Sequence, residues 1–401
     1  MRSGVAPKMM AVALAVLCVA ACGSTPDAKK QGSGPPTGNR GNDGYALADT
    51  PFTRKGAVIT ATCSIGARAA AVSVQAWDPD GWQPLDERIF GIPASAAFSN
   101  YPGVEAVNSP LVDLCRQSTD RASPYRLDDL EHLAPRARAL FDLGFTRMAV
   151  VFRGPDGKAT HAGSVASGDP QGDAAAPSGA TSDDEQNAAM APDGRRVWFT
   201  YTNPAGEQRI GSRAVEGDQG LSDEGPAAGH ELPLTVSGKP PRAIQADMVR
   251  VSPNGRRFTG FAPKVFGRIF DAADSSIALT GQSASNATLV RDCVAIVGWI
   301  SDAQVLCRTP SGSFQVADAH SGDPVGAAIE VVGANDGTVA EGMVVSADGK
   351  RFIVAVHIPN DPYGELGQLP DLRVVPTSPG GEIIPIANDS LSVDTVFLAW
   401  R

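Results

Sequence analysis

The sequence predicts an all-β protein, a β-propeller with six blades favoured and seven as the alternative. Three observations predict it. A turn-and-strand motif recurs, its copies fall about one four-stranded sheet apart, and the two ends of the globular region read as complementary parts of one sheet.

The motif comes first. Residues 190–199 read MAPDGRRVWF, residues 251–260 VSPNGRRFTG and residues 345–354 VSADGKRFIV. In each, Asp193, Asn254 or Asp348 is suited to bond its own backbone, and Gly194, Gly255 or Gly349 supplies positive φ. The alternating apolar run after the basic pair reads as a half-buried strand. These six turn residues are assigned a structural role.

The spacing comes next. The three markers are 61 and 94 residues apart, and the second interval, twice 47, predicts a degenerate copy midway. Asp302 supplies it, and further steps reach Asp394 downstream and Asp142 upstream. The wider interval of 61 is assigned to the polar loop Glu216 to His230. Six copies imply six blades.

Closure follows from the ends. The last copy, 391–400, stops after one or two strands, whereas 69–77 and 82–90 read as the outer pair of a blade joined by the Asp78 to Gly81 turn. Together they complete one split blade and remove free sheet edges. If Ser64-Ile65-Gly66 starts its own copy, the blades number seven. Leu127, Leu130 and Leu133 fall at helical spacing up to Pro135, which predicts a short inserted helix, either a recognition element or a cover over a blade edge. Residues 168–189, rich in Gly, Ala, Ser and Asp, read as a surface loop. The aromatic residues Trp198, Phe199, Phe258, Trp299, Phe352, Phe397 and Trp400 recur on the repeat strand and read as core between sheets.

The first 44 residues are not part of the propeller. Arg2 and Lys8 precede the apolar stretch Met9 to Ala21, too short for a span that needs about 20 residues. Its end, Val19-Ala20-Ala21-Cys22, resembles the bacterial lipobox. Residues 1–21 are then a lipoprotein signal and Cys22 the acylated mature terminus; a plain secretory signal cut near Ala21, or a buried apolar segment, is the alternative. Residues 22–44 have no large apolar side chain beyond Cys22 and read as a disordered tether to a body spanning 45–401. No later apolar run is long enough to cross a bilayer. The expected location is the outer face of the cytoplasmic membrane.

Cysteine usage agrees with export. Cys18 leaves with the signal and Cys22 is acylated, so four remain, and an even number suggests two disulfides. Cys293 and Cys307 flank two strands joined by a turn at Ser301-Asp302, which favours their pairing and leaves Cys63 for Cys115. Free buried thiols are the alternative. A zinc site is disfavoured by the absence of CxxC spacing and by five scattered histidines.

With three good copies in place, the chain resembles the propeller repeats of the TolB and WD40-like classes, whose blades carry a Ser-Pro-Asp-Gly-basic-basic strand start. The resemblance covers residues 57–401. The signal, tether and Arg-over-Lys bias also look like exported lipoproteins of actinobacteria.

For function, 34 basic against 44 acidic side chains give a net charge of −10, which argues against a nucleic-acid partner. No GxSxG elbow, HExxH, P-loop or correctly placed GxGxxG occurs, so no catalytic residue is assigned. Asp193, Asn254, Asp302 and Asp348 could be mistaken for calcium ligands, but each occupies the turn of a separate blade, which points to capping; no metal or cofactor is assigned. The reading is a lipid-anchored, non-catalytic binding or scaffolding module with a protein or cell-envelope partner, a role that the resemblance to TolB-like propellers also implies. The alternative is an envelope enzyme, a propeller lactonase, other hydrolase or dehydrogenase, with a channel-bound cation or cofactor. It would need Glu, Asp, Asn or His from several blades converging on the axis.

Overall fold

The computed structural model describes residues 48–65, 70–96, 110–119, 137–154, 159–168, 182, 184–217, 219–227, 231–234, 242–245, 250–254, 256–260, 267–271, 287–332, 337–358, 371–387, 391 and 395–401. All belong to one compact unit, residues 40–401. The signal, Cys22, the tether, Gly255, Asp394 and the helix expected near Leu127 lie outside the described residues. Among those described, no helix is long and apolar enough to cross a membrane.

The protein is an all-β propeller with few helices. Five four-stranded antiparallel sheets are present among the described residues, each a meander numbered here from its innermost strand outwards. The first contains β1 (Val58–Ile65), β2 (Ala70–Asp78) and β3 (Gln83–Ile92), and its innermost strand is the C-terminal β24 (Val396–Trp400). The others are β6 (Glu185–Met190) to β9 (Ser222–Pro226), with β7 (Arg196–Thr202) and β8 (Gln208–Ala214) between; β12 (Arg250–Val251), β13 (Arg257–Gly260), β14 (Arg268–Asp271) and β15 (Thr288–Leu289); β16 (Ala295–Ser301), β17 (Gln304–Arg308), β18 (Phe314–Asp318) and β19 (Pro324–Ile329); and β20 (Val339–Val345), β21 (Arg351–His357), β22 (Asp371–Pro376) and β23 (Ile384–Pro385). Two ribbons complete the set: β4 (Arg147–Arg153) with β5 (Thr160–Ala166), and β10 (Glu231–Leu234) with β11 (Arg242–Gln245).

The strand patterns follow from position. Second strands are covered on both faces by neighbouring sheets, so β7 and β21 read as near-continuous apolar runs with five or six successive buried residues. Outermost strands have one wet side. Ile89 of β3, Leu289 of β15, Val325 of β19 and Ile384 of β23 are accordingly the exposed large apolar residues there. Apolar side chains of adjacent sheets meet in the seams, as where Phe314 and Phe352 pack with ring planes tilted by 59° and centroids 5.0 Å apart.

The ring closes as the chain ends implied: β24 pairs with β1, Val58 opposite Trp400 and Ala61 opposite Val396. The blade count differs from expectation. Val396–Trp400 is a first strand, not a strand following a marker turn, so the copy counted at Asp394 completes the closing blade. The copy at Asp142 opens the two-stranded β4–β5 ribbon. The place inside β4 is shared by single bridges from Phe141 and Ala96, because 137–139 form a helical turn instead of a strand. Ser64 and Ile65 finish β1, so they start no seventh blade. The 61-residue interval also has a different cause. Part of Glu216 to His230 is β9, and the extra length is the β10–β11 hairpin.

Two further readings change, and one helix is added. Residues 185–189 of the expected surface loop belong to β6, a small-residue strand whose low apolarity hid it. Trp299, Phe397 and Trp400 lie on first strands, not on the repeat strand. A helix occurs at Pro110–Thr119 (α1), with Pro at its first position, where a missing N–H costs nothing.

Both expected cysteine pairs are bonded, Cys63 to Cys115 and Cys293 to Cys307. The first fastens α1 onto β1. The second ties the segment entering β16 to β17, since Cys293 precedes the strand and Cys307 lies opposite Ile296.

Candidate functional site

Two places gather polar side chains from several blades: the first strands, nearest the axis, and the rim formed by the turns between first and second strands.

Four first strands share an irregularity. The register slips by one residue between Gln186 and Ala189, at Val297, at Met343 and at Leu398, just before the last two paired positions in β6, β20 and β24, while β16 slips a second time between Trp299 and Ser301. An extra residue bends a strand and raises its local twist, so the same bend recurs in β6, β16, β20 and β24. Ala188, Val297, Met343 and Leu398 are all buried. The approach of β16 to β20 depends on glycine: a Cβ on Gly342 would overlap Val297, and one on Gly298 would lie 2.8 Å from Val345 Cγ2. In β6 the bend is made by Asn187, at φ 54°, whose amide donates to Thr200 Oγ1 at 3.2 Å.

Two carboxylates of these strands, Glu185 and Glu341, are buried. Glu185 of β6 is fully buried and accepts from Arg213 Nη2 at 2.5 Å and from the Ala162 backbone N–H at 2.6 Å. Arg213, 1 % exposed, also donates to the Ala162 carbonyl at 2.8 Å and lies over the Phe199 ring. The pair thus fastens the β6–β9 blade to β5. Glu341 of β20 is buried with its carboxylate 3.7 Å from His357 Nε2 of β21. Among the described residues, no three His, Cys, Asp or Glu side chains are grouped to hold a metal ion.

The rim is built from the repeated motif. Asp193, Asn254 and Asp348 accept the backbone N–H two residues on, from Arg195, Arg256 and Lys350, at 2.9 to 3.1 Å. Ser252 and Ser346 add a hydroxyl bond to the marker and accept the N–H of Arg257 and Arg351; Ala191 stands in their place in the first copy. Gly194 and Gly349 sit at φ 71° and 70°. The Asp348 carboxyl lies below its ordinary value: burial pushes it up, but the Ser346 hydroxyl, the Lys350 amide and the nearby cations outweigh that.

The markers also touch one another. Asp302 Oδ1 accepts the Asn254 N–H at 2.8 Å, the Leu143 N–H donates to Pro192, and the Ala347 N–H donates to Trp400. Gly349 packs on the Ile300 carbonyl and Gly194 on Asp142. These side chains are brought onto one rim but not onto one point. Asp142 is buried and bonds the amides of Thr146 and Arg147 within its own turn.

Sequence reasoning missed the closing seam. Three arginines, one local and two from distant segments, donate to one short loop: Arg138 to Phe141 O, Arg401 to Leu143 O and Arg88 to Gly144 O. Arg88 lies over Phe52, and Arg138 and Arg401 over Phe145. Burial, and then the neighbouring Arg401, pushes Arg138 down to about 9. No single residue signals this cluster, because Arg88 and Arg401 are over 300 positions apart.

The class defined by sheet order and rim is a β-propeller closed by its C-terminal strand. No family model matches the chain. No curated protein matches it either. Solved structures that align with it include TolB from Acinetobacter baumannii, at 12 % identity over 86 % of this chain and 83 % of that one, with a TM-score of 0.27. The β-propeller domain of the Trilobed protease from Pyrococcus furiosus aligns at 10 % identity over 82 % and 98 %, with a TM-score of 0.34. A puromycin-hydrolyzing peptidase from Mycobacterium tuberculosis aligns at 11 % identity over 86 % of this chain, with a TM-score of 0.35. The chain spans about half the length of that peptidase (49 %) and of a dihydro-heme d1 dehydrogenase (56 %). The propeller assignment rests on this chain's own sheet order.

Proposed function

We propose that the protein is an envelope lipoprotein, held at the outer face of the cytoplasmic membrane by acylated Cys22, whose propeller is a non-catalytic binding or scaffolding module for a protein or cell-envelope partner. One observation carries the non-catalytic part: the acids of the first strands, Glu185 and Glu341, are fully buried beside Arg213 and His357. General acid–base work needs such groups within reach of a substrate. Two disulfides support export, since they persist in oxidising compartments. The tether and the Arg-over-Lys bias support the actinobacterial type of lipoprotein.

Cys22→Ala is expected to release the protein into the medium, and continued membrane retention would overturn the anchor. Metal analysis of the purified protein, with a chelator thermal shift, tests the rest. A bound cation whose removal lowers the melting temperature would move the reading to an enzyme of the axial channel.

A further inference from the structure

The three marker turns share their bonding and differ in one group. Asp193 and Asp348 are carboxylates, whereas Asn254 is an amide, and of all the asparagines in the chain it alone is followed by glycine.

A neighbour accounts for the difference. The Asn254 N–H donates to Asp302 Oδ1 at 2.8 Å, so the marker of one blade holds its carboxylate against the marker of the next. At the other two junctions the acceptors are carbonyls, Pro192 O and Trp400 O. Aspartate at 254 would set two carboxylates side by side, which disfavours their charged forms. The turn's own cations are Arg256, which is exposed, and Arg257, which is drawn to Ala319 O at 3.2 Å and His320 Nδ1 at 2.8 Å.

The same turn makes the amide reactive. Asn254 Oδ1 accepts from the Ser252 hydroxyl and from the Arg256 N–H, both at 2.9 Å. Such donors stabilise the charge that develops on this oxygen when a nucleophile adds to Cγ. The adjacent nucleophile is the backbone nitrogen of Gly255, which carries no side chain to obstruct the approach. Asn254 is exposed, so its amide group can leave into water. Asn203 provides the contrast. Its Oδ1 accepts the Ala205 and Glu207 N–H groups at 3.0 and 2.9 Å, but Pro204 follows it, and a proline nitrogen has no proton to give.

We propose that Asn254 deamidates spontaneously in the folded protein, which converts this marker into an acid and sets it against Asp302. A bond forms between the Gly255 nitrogen and Asn254 Cγ, the Cγ–Nδ2 bond breaks, and ammonia leaves with the proton that the Gly255 nitrogen gives up. Water then opens the cyclic imide. Its hydroxyl goes to a ring carbonyl carbon and its remaining proton to the nitrogen, so no oxidant or reductant is needed. Opening at Cγ leaves aspartate, which can keep the turn because Asp348 makes the same two bonds. Opening at the main-chain carbonyl leaves isoaspartate, whose backbone is longer by one atom. Either product adds a negative charge where the β12–β15 and β16–β19 sheets meet.

The test holds the full-length protein folded in non-ionic detergent and mildly alkaline buffer, then digests it with trypsin, which releases Val251 to Arg256 as one peptide. Exchange of amide for acid is expected there ahead of every other asparagine, with ammonia released in step and isoaspartate detected by enzymatic methyl transfer. Ser252→Ala should slow the exchange roughly three- to tenfold, the effect of one hydrogen bond. Ala191 stands at that place in the first copy, so the turn tolerates alanine. Asn254→Asp, which reproduces the aspartyl product, should raise the unfolding constant roughly two- to fivefold near pH 7 and leave it unchanged below about pH 4, where carboxylates protonate. Adding Asp302→Asn should remove that difference. The inference is overturned by an amide that persists in the folded protein while the urea-unfolded chain loses it, by equal or faster exchange in Ser252→Ala, or by an Asn254→Asp effect that Asp302→Asn does not relieve.

Discussion

At the scale of single residues, the marker turns show how one backbone need is met by different side chains. Asn254 and Asp348 make the same pair of bonds, to a serine hydroxyl and to an amide two residues on. Asp348→Asn should therefore keep the turn, while Asp348→Ala should cost about 1 kcal/mol in urea unfolding. The two also differ with pH. The Asp348 carboxyl is depressed in the folded state, so its contribution is present above the unfolded value and is lost as pH falls through the folded one. Acid titration of stability below about pH 4 should thus be shallower for Asp348→Asn than for wild type. The glycine after the marker is under two constraints in one blade and one in another. Gly349→Ala would combine positive φ with overlap on the Ile300 carbonyl, whereas Gly194→Ala meets only Asp142 Oδ2 at 3.3 Å. The first should cost well over the second, which is expected near 1 to 2 kcal/mol for the backbone alone; equal losses would show that the contact with Ile300 is not what requires glycine.

At the scale of elements, cross-links between distant strands dominate. The Cys63–Cys115 bridge closes 52 residues and Cys293–Cys307 closes 14. Chain-entropy arguments assign them about 4 and about 3 kcal/mol respectively. Replacing Cys63 and Cys115 by serine should lower the urea midpoint more than the same change at Cys293 and Cys307, and it should free α1 to local proteolysis first. The Glu185–Arg213 pair joins β6 and β8 to β5 with both charges buried. Glu185→Gln or Arg213→Met alone should cost about 3 to 5 kcal/mol, because each leaves a buried charge behind, and the double variant less than the sum. A double-mutant cycle with no coupling would show that the pair is not an energetic unit. The disulfides were legible beforehand in the even cysteine count, but the ion pair was not. An arginine in the alternating run QRIGSRA reads as solvent-facing until β5 covers it.

At the scale of the molecule, stability depends on the ends meeting. The chain's last residue donates to Phe52 O at 3.2 Å and to Leu143 O at 2.7 Å, and β24 fills the innermost place of the closing blade. Deleting residues 396–401 should expose the β1 edge and the ring of Phe145, and replace a single cooperative unfolding transition with a broad one prone to aggregation. Retained cooperativity would mean that the remaining blades hold their ring without the latch. What the sequence by itself determined is the local and periodic part: turn chemistry at Asp193, Asn254 and Asp348, the strands after them, the complementary ends and the even cysteine count. Those follow from nearest-neighbour physics repeated at a steady interval. Only the tertiary structure decided the blade count, the first-strand bends and the seam of Arg88, Arg138 and Arg401. Each of these depends on which sheets come to lie side by side, and a bend or a buried charge leaves no period in the chain.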